Sequence, residues 1–272
     1  VPILVVSSAE GESAAQEARA FGAIGFLRKD TDLSAIEAAI AKALDSVPPA
    51  PVAASVQPED KVRETVADMK ARADAKGRVA AIEVLVNNAA LVPGGPEDEV
   101  RRGRHYAYLT TPELRTSLGF TSAMSDADWL KYWGVNVHGV FFCTRAALRQ
   151  MEPRRFGRIV NIASIAGVSG LSAHSPHYSA TKGAVIAFTR SVGAEVAGAN
   201  IYVNAIAPGG VATPMFDDYL ARMEPEARGR LFQMIPAGRL GTMEDYAGLV
   251  LYLAGDGHYL AGQVISPNGG MV

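Results

Sequence analysis

Tyr178 and Lys182 lie four residues apart, in the string Tyr178-Ser179-Ala180-Thr181-Lys182. On a helix that spacing puts both side chains on one face. An ammonium so placed favours phenolate and draws the tyrosine pKa down from about 10 towards neutrality. A tyrosine tuned in this way can exchange a proton with a carbonyl or alcohol oxygen. Ser164 ends the apolar run Ile159-Val160-Asn161-Ile162-Ala163 and can donate a hydrogen bond to the same oxygen. No side chain supplies hydride, so an oxidoreductase built on these groups needs a cofactor. Taken singly, each feature has an ordinary structural reading. Tyr-x-x-x-Lys is a surface helix pair, Ser164 a helix cap, Asn136 a helix-interior asparagine, and Asn87-Asn88-Ala89 a turn after a strand. Their joint order along the chain argues for chemistry instead.

Other reactive groups point nowhere specific. His105, His138, His174, His177 and His258 lack metal-ligand spacing, and Cys143 is the one cysteine. His177 reads as pocket lining beside Tyr178 rather than as a base. Arg101-Arg102-Gly103-Arg104-His105-Tyr106 can meet an anionic substrate tail, although a solvated loop is the expected reading. The bulk numbers agree with a soluble enzyme. The 272 residues are 49% hydrophobic and 20% charged, enough for a full core. A net charge of -2 gives no electrostatic case for nucleic acid or an anionic membrane. A single cysteine excludes an intramolecular disulfide and fits a reducing compartment. No apolar run nears the roughly 20 residues of a spanning helix, and no secretory signal opens the chain. The expected location is cytoplasmic.

The elements that must carry these groups alternate between strand-like and helical patterns, the mark of a parallel sheet covered on both faces. Strands are expected at 2–6, 23–27, 52–56, 82–86, 158–163, 202–207 and 263–266. Helices are expected at 10–21, 32–44, 59–75, 126–151 and 177–196, with helical stretches over 213–253. Val47-Pro48-Pro49-Ala50-Pro51 cannot be helix and reads as a seam. Residues 93–125 look like a long irregular loop of functional character. Ser125 to Asp128 has capping-box character.

Asn87-Asn88-Ala89-Ala90, Asn136, Ser164, Tyr178 with Lys182, and Asn204-Ala205-Ile206-Ala207-Pro208-Gly209-Gly210-Val211-Ala212-Thr213-Pro214 follow in the order of one family. Together they closely resemble the short-chain dehydrogenase/reductase family over about 59–272. The resemblance implies Tyr178 as general acid/base, Ser164 as oxyanion partner and Lys182 as its tuner, with Asn136 anchoring a proton relay. It implies an NAD or NADP cofactor held by Asn88, Ala89, Tyr178, Lys182, Pro208, Gly209, Val211 and Thr213. It also implies a small-molecule ketone or alcohol substrate, 3-oxoacyl reduction being one example, and a homodimer or homotetramer.

The family's opening TGxxxGxG turn has no counterpart here; the first strand runs into Ser7-Ser8-Ala9-Glu10-Gly11-Glu12-Ser13. Residues 1–46 instead resemble the second half of a flavodoxin-like response-regulator receiver domain. Pro2-Ile3-Leu4-Val5-Val6-Ser7-Ser8 and Gly22-Ala23-Ile24-Gly25-Phe26-Leu27-Arg28-Lys29-Asp30 carry that likeness. Ser7, Ser8 and Asp30 are weaker cofactor-binding candidates. The fold expected is one doubly wound parallel α/β sheet, Rossmann-like, with the flavodoxin-like segment as a wing. It divides into a receiver-like segment at 1–46, a Pro-rich seam at 47–58 and the dehydrogenase-like region at 59–272. A second reading stays open: a recombined Rossmann/flavodoxin-like chimera that folds without binding cofactor.

Overall fold

The computed structural model describes residues 3–7, 23–28, 82–110, 112 and 116–272. The helices expected at 10–21, 32–44 and 59–75, the strand at 52–56 and the Pro-rich seam lie outside the described residues, as do Ser8 and Asp30.

Six strands form one parallel sheet: β1 (Ile3–Ser7), β2 (Ala23–Arg28), β3 (Val84–Asn87), β4 (Gly157–Ile162), β5 (Ile201–Ile206) and β6 (Val264–Ile265). Their spatial order is β2-β1-β3-β4-β5-β6. The register sets Val6, Asn87, Asn161 and Ala205 abreast, so the carboxyl ends of β1, β3, β4 and β5 share one edge. In such sheets that edge is where ligands bind.

Alternation along the strands builds two cores. Leu85, Ile159, Ile201 and Val203 face one side with Cys143, Ala147 and Met151 of α3 (Gly139–Arg154) and Val192 and Val196 of α4 (Pro176–Val196). Val160 and Ile206 face the other, against Leu249, Val250 and Leu253 of α7 (Met243–Ala254). The two-sided burial explains why β4 and β5 read as nearly continuous apolar runs.

Residues 93–125 depart from the expected loop. Pro96–Thr110 is a 15-residue helix, α1. Pro96 stands in its first turn, where the missing N–H costs nothing, and Glu97, Asp98 and Glu99 favour the positive end of the helix dipole. The helix expected over 126–151 is α2 (Asp126–Trp133), a π turn at Gly134–His138, then α3. Ser125 caps it, accepting from the Asp128 N–H at 3.1 Å. The region after β5 resolves into α5 (Pro214–Arg222), α6 (Pro225–Gln233) and α7.

Candidate active site

Ser164 follows β4 and opens a short 3-10 turn, Ile165–Gly167. Its Oγ accepts from the Ala166 N–H at 3.1 Å. The Ile165 N–H donates to the Pro208 carbonyl at 2.8 Å, tying the β4 and β5 exits together. Gly167 lies against the backbone of α4: a Cβ there would stand 2.6 Å from the Lys182 carbonyl carbon. Only glycine lets the serine turn sit this close to the helix bearing Tyr178.

Lys182 is 3% exposed, and its Nζ donates to the Ile162 carbonyl at 2.7 Å. Burial pulls its ammonium down to about 8. Its Nζ stands 5.8 Å from the Tyr178 ring centroid. The sequence led us to expect a Tyr178 phenol below its ordinary value, and the structure corrects this. Burial raises it, while a hydrogen bond with the Ser164 side chain opposes the rise. The Ser164 side chain is thus a neighbour that works against the effect of burial.

Asn136 sits in the π turn and is 1% exposed. Its Nδ2 donates to the Leu91 carbonyl at 3.0 Å and the Thr181 hydroxyl at 3.1 Å. Its Oδ1 accepts from the Leu91 N–H at 2.7 Å. It therefore clasps the chain leaving β3 to the residue just before Lys182. A π turn adds a residue to the helix, and such turns recur at functional sites.

The remaining candidates line the same sheet edge. Asn88 is exposed and Ala89 half-buried just after β3. Pro208, Gly209, Val211 and Thr213 are half-buried after β5. Gly209 presses on Asn268, where a Cβ would stand 2.8 Å from Cα. Thr213 caps α5 by accepting from the Phe216 N–H at 3.3 Å. Ser7 closes β1. Asn87 turns inward, donating to Thr144 Oγ1 at 3.2 Å and Asn161 Oδ1 at 2.7 Å. Asn161 donates in turn to Thr189 Oγ1 at 2.9 Å. No group of three or more metal-ligating side chains gathers among the described residues.

A polar seam beside Tyr178 was not legible in the sequence. The Asp98 carboxylate of α1 pairs with Arg101 and accepts from the Gly94 N–H at 2.7 Å. His105 of α1 meets His174 with their Nδ1 atoms 3.4 Å apart, both rings buried. His177 packs edge-on against Tyr132 of α2, ring centroids 4.0 Å apart. The basic stretch 101–106 belongs to this helix rather than to a solvated loop. Pro96 followed by three acids was the available signal.

Residues 3–224 match the family model described as short chain dehydrogenase. The chain is 41% identical over 149 residues to a 3-oxoacyl-(acyl-carrier-protein) reductase FabG of Aquifex aeolicus, covering 54% of this chain and 58% of that protein. It is 33% identical over 262 residues to nodulation protein G of a Rhizobium species, covering 96% of this chain and 91% of that one. Among solved structures, a variant of actinorhodin polyketide ketoreductase with NADPH aligns with a TM-score of 0.67 at 28% identity. That alignment covers 98% of this chain and 86% of the other. Matches to FabG-type reductases thus span somewhat over half of those relatives' length.

Proposed function

From the premise that this chain belongs to the short-chain dehydrogenase family, we propose that it interconverts a ketone and a secondary alcohol with NAD or NADP. The observation that carries this is the close packing of the Ser164 turn on α4, Gly167 against the Lys182 backbone, which brings Ser164, Tyr178 and Lys182 together at the carboxyl edge of the sheet. Tyr178 gives its proton to the carbonyl oxygen during reduction and takes one from the alcohol during oxidation. Ser164 donates to the same oxygen and stabilises the charge that develops there. Lys182 lies close enough to its neutral form to pass a proton on. Asn136 holds Leu91 and Thr181 on either side of that path and acts as the relay's anchor. The 3-oxoacyl thioesters named for the Aquifex relative are the first substrates to try.

The donor set fits a dinucleotide. Lys182 has three N–H donors and spends one on Ile162, so it can also hold ribose hydroxyls with Tyr178. Asn88 and Ala89 would line the adenosine side, and Pro208, Gly209, Val211 and Thr213 the nicotinamide side. Ser7, Ser8 and Asp30 would meet the phosphates and ribose. When bound, the cofactor supplies or accepts the hydride. The assembly we infer is a homodimer or homotetramer packed through α2, α3 and α4, on which Trp129, Leu130 and Phe141 are exposed. Among the described residues no helix is long and apolar enough to cross a membrane.

Tyr178→Phe should abolish NAD(P)H-linked ketone reduction while leaving the circular dichroism spectrum intact. Unchanged turnover would remove Tyr178 from the mechanism. The second reading is a receiver-like wing at 1–46, joined at 47–58, that no longer takes nucleotide. The string Ser7-Ser8-Ala9-Glu10-Gly11-Glu12-Ser13, with two carboxylates where the family has its Gly-rich turn, favours it. Titration with NADH and NADPH separates the two, since a folded chain without saturable binding at millimolar cofactor supports the second.

A further inference from the structure

Arg158 stands second in β4, at the amino edge of the sheet, and is 3% exposed. Six residues of chain, at about 3.3 Å each, carry it roughly 20 Å from Ser164. Its guanidinium lies 4.8 Å from the Phe156 ring centroid and 4.4 Å from that of Tyr202. It donates to the Gly157, Asn200 and Gly255 carbonyls at 2.8, 3.0 and 3.1 Å, and to the Asp256 carboxylate at 3.1 Å. One side chain thus ties the entries of β4 and β5 to the turn after α7. Around it opens a cavity of about 560 Å³, a volume typical of small-molecule sites.

Arg154 and Arg155 line the same cavity and are exposed. A guanidinium carries five N–H donors. Arg154 bonds the Ile82 carbonyl at 2.9 Å through one nitrogen, and Arg155 the Gly198 carbonyl at 2.8 Å. His258 has both ring nitrogens engaged, by the Leu253 carbonyl and the Leu260 N–H. Against the three guanidiniums stand two carboxylates, Asp256 in the lining and Glu83 acting on Arg154. One net positive charge is left, with many more donors than that charge implies.

The backbone singles out the same place. Among the described residues only Arg155 and Asn200 combine a side chain with a positive φ, 51° and 58°. Both line this cavity. Each ends a helical segment, α3 and the 3-10 turn Ala197–Ala199, where glycine is the usual occupant. The cap accounts for the conformation but not for an arginine side chain, which strains it where glycine would not.

We propose that this cavity at the amino edge of the sheet binds a phosphate-bearing polyanion, held by Arg154, Arg155 and Asn200 over the Arg158 clamp. Donors in excess of net charge select a ligand rich in oxygen acceptors, and guanidinium forks match the paired oxygens of phosphate. The site lies at the opposite edge from Ser164 and Tyr178, so it stands or falls apart from the ketone chemistry.

Calorimetric titration of the full chain at fixed ionic strength, with pyrophosphate and with ADP, tests this. Saturable binding with a Kd of ~1 mM or below is expected, the range of two or three charge-assisted hydrogen bonds. The tighter ligand tells a free anion from the phosphate end of a larger molecule. Arg154→Gln and Arg155→Gln should each weaken binding roughly 10-fold. Arg155→Gly should weaken it equally while leaving Tm at or above that of the wild type, because glycine suits the cap. Affinity retained in all three variants would place the anion elsewhere, the dinucleotide crevice included, and overturn the proposal. So would the absence of saturable binding of either ligand at ~10 mM.

Discussion

Gly167→Ala puts a methyl group between the Ser164 turn and the helix of Tyr178. The new Cβ would lie 2.6 Å from the Lys182 carbonyl carbon, 2.7 Å from the Gly183 nitrogen and 2.9 Å from the Lys182 oxygen. All three are backbone atoms, so no side chain can swing away. Ordinary contact begins at 3.4 Å, and the difference, 3.4 − 2.6 = 0.8 Å, is the separation the turn and helix must open. Overpacking of this kind costs about 1–3 kcal/mol. For a chain of this size Tm should fall by about 2–4 °C per kcal/mol. The opening acts on the Ser164–Tyr178 hydrogen bond. A displacement near 1 Å loses roughly 100-fold in rate when the moved groups position the reacting atoms. The assay is kcat for ketone reduction beside a thermal melt. Gly183→Ala is the control, because its Cβ meets only the Gly167 oxygen at 3.9 Å. In a helix interior that change should add about 0.5–1 kcal/mol. Wild-type kcat and Tm in Gly167→Ala, or equal losses in both variants, would refute the reasoning.

Ser164→Ala removes the hydrogen bond that holds the Tyr178 phenol down against burial. The acidic limb of the pH–rate profile for alcohol oxidation, where the rate rises as Tyr178 loses its proton, should move to higher pH, with kcat lower by roughly 100-fold; an unmoved limb would contradict the assignment. Asn87→Leu strips Asn161 Oδ1 and Thr144 Oγ1 of their donor and should cost about 1–3 kcal/mol by urea denaturation. A loss below ~0.5 kcal/mol would mean that the ladder is dispensable. Burial, reinforced by the positive Arg102, lowers His174 to about 3 from an ordinary 6.5. Between those values the unfolded chain binds a proton that the folded chain refuses, so stability falls as pH drops through that window. His174→Gln should shrink the difference between urea midpoints at pH 7 and pH 4.5. An unchanged difference would assign that sensitivity to other groups, His105 and His177 included.

How much was legible depends on whether a residue's role is local. The pattern of apolar runs located β1 to β6 within a residue or two, because the apolar run of a strand is continuous in sequence. Tyr178 with Lys182 was readable for the same reason, both lying on one helix face. The α1 helix was missed because Gly94-Gly95-Pro96 reads as a turn, while the acids that favour the helix follow it. The sign of the Tyr178 shift was also missed. Spacing gives proximity to Lys182 but not burial, and burial dominates both groups. The His105–His174 contact joins residues 69 apart in sequence, so no periodicity can signal it.

The same distinction explains why the site is assembled from separate elements and still holds its geometry. Ser164, Tyr178 and Asn136 come from the β4 exit, α4 and a π turn, and each is tied to a second element by a backbone group. The Ile165 N–H reaches Pro208, Lys182 Nζ reaches the Ile162 carbonyl, and the Asn136 amide reaches both main-chain groups of Leu91. Backbone partners do not change rotamer, so these ties fix distance more firmly than contacts between side chains. Beneath them the Asn87–Asn161–Thr189 ladder joins β3, β4 and α4 through side chains set in register. Substitutions in the ladder should therefore act on stability, and substitutions at the backbone ties on turnover. Asn87→Leu and Gly167→Ala should each cost about 1–3 kcal/mol of stability, so kcat tests that division: only Gly167→Ala should lower it by roughly 100-fold.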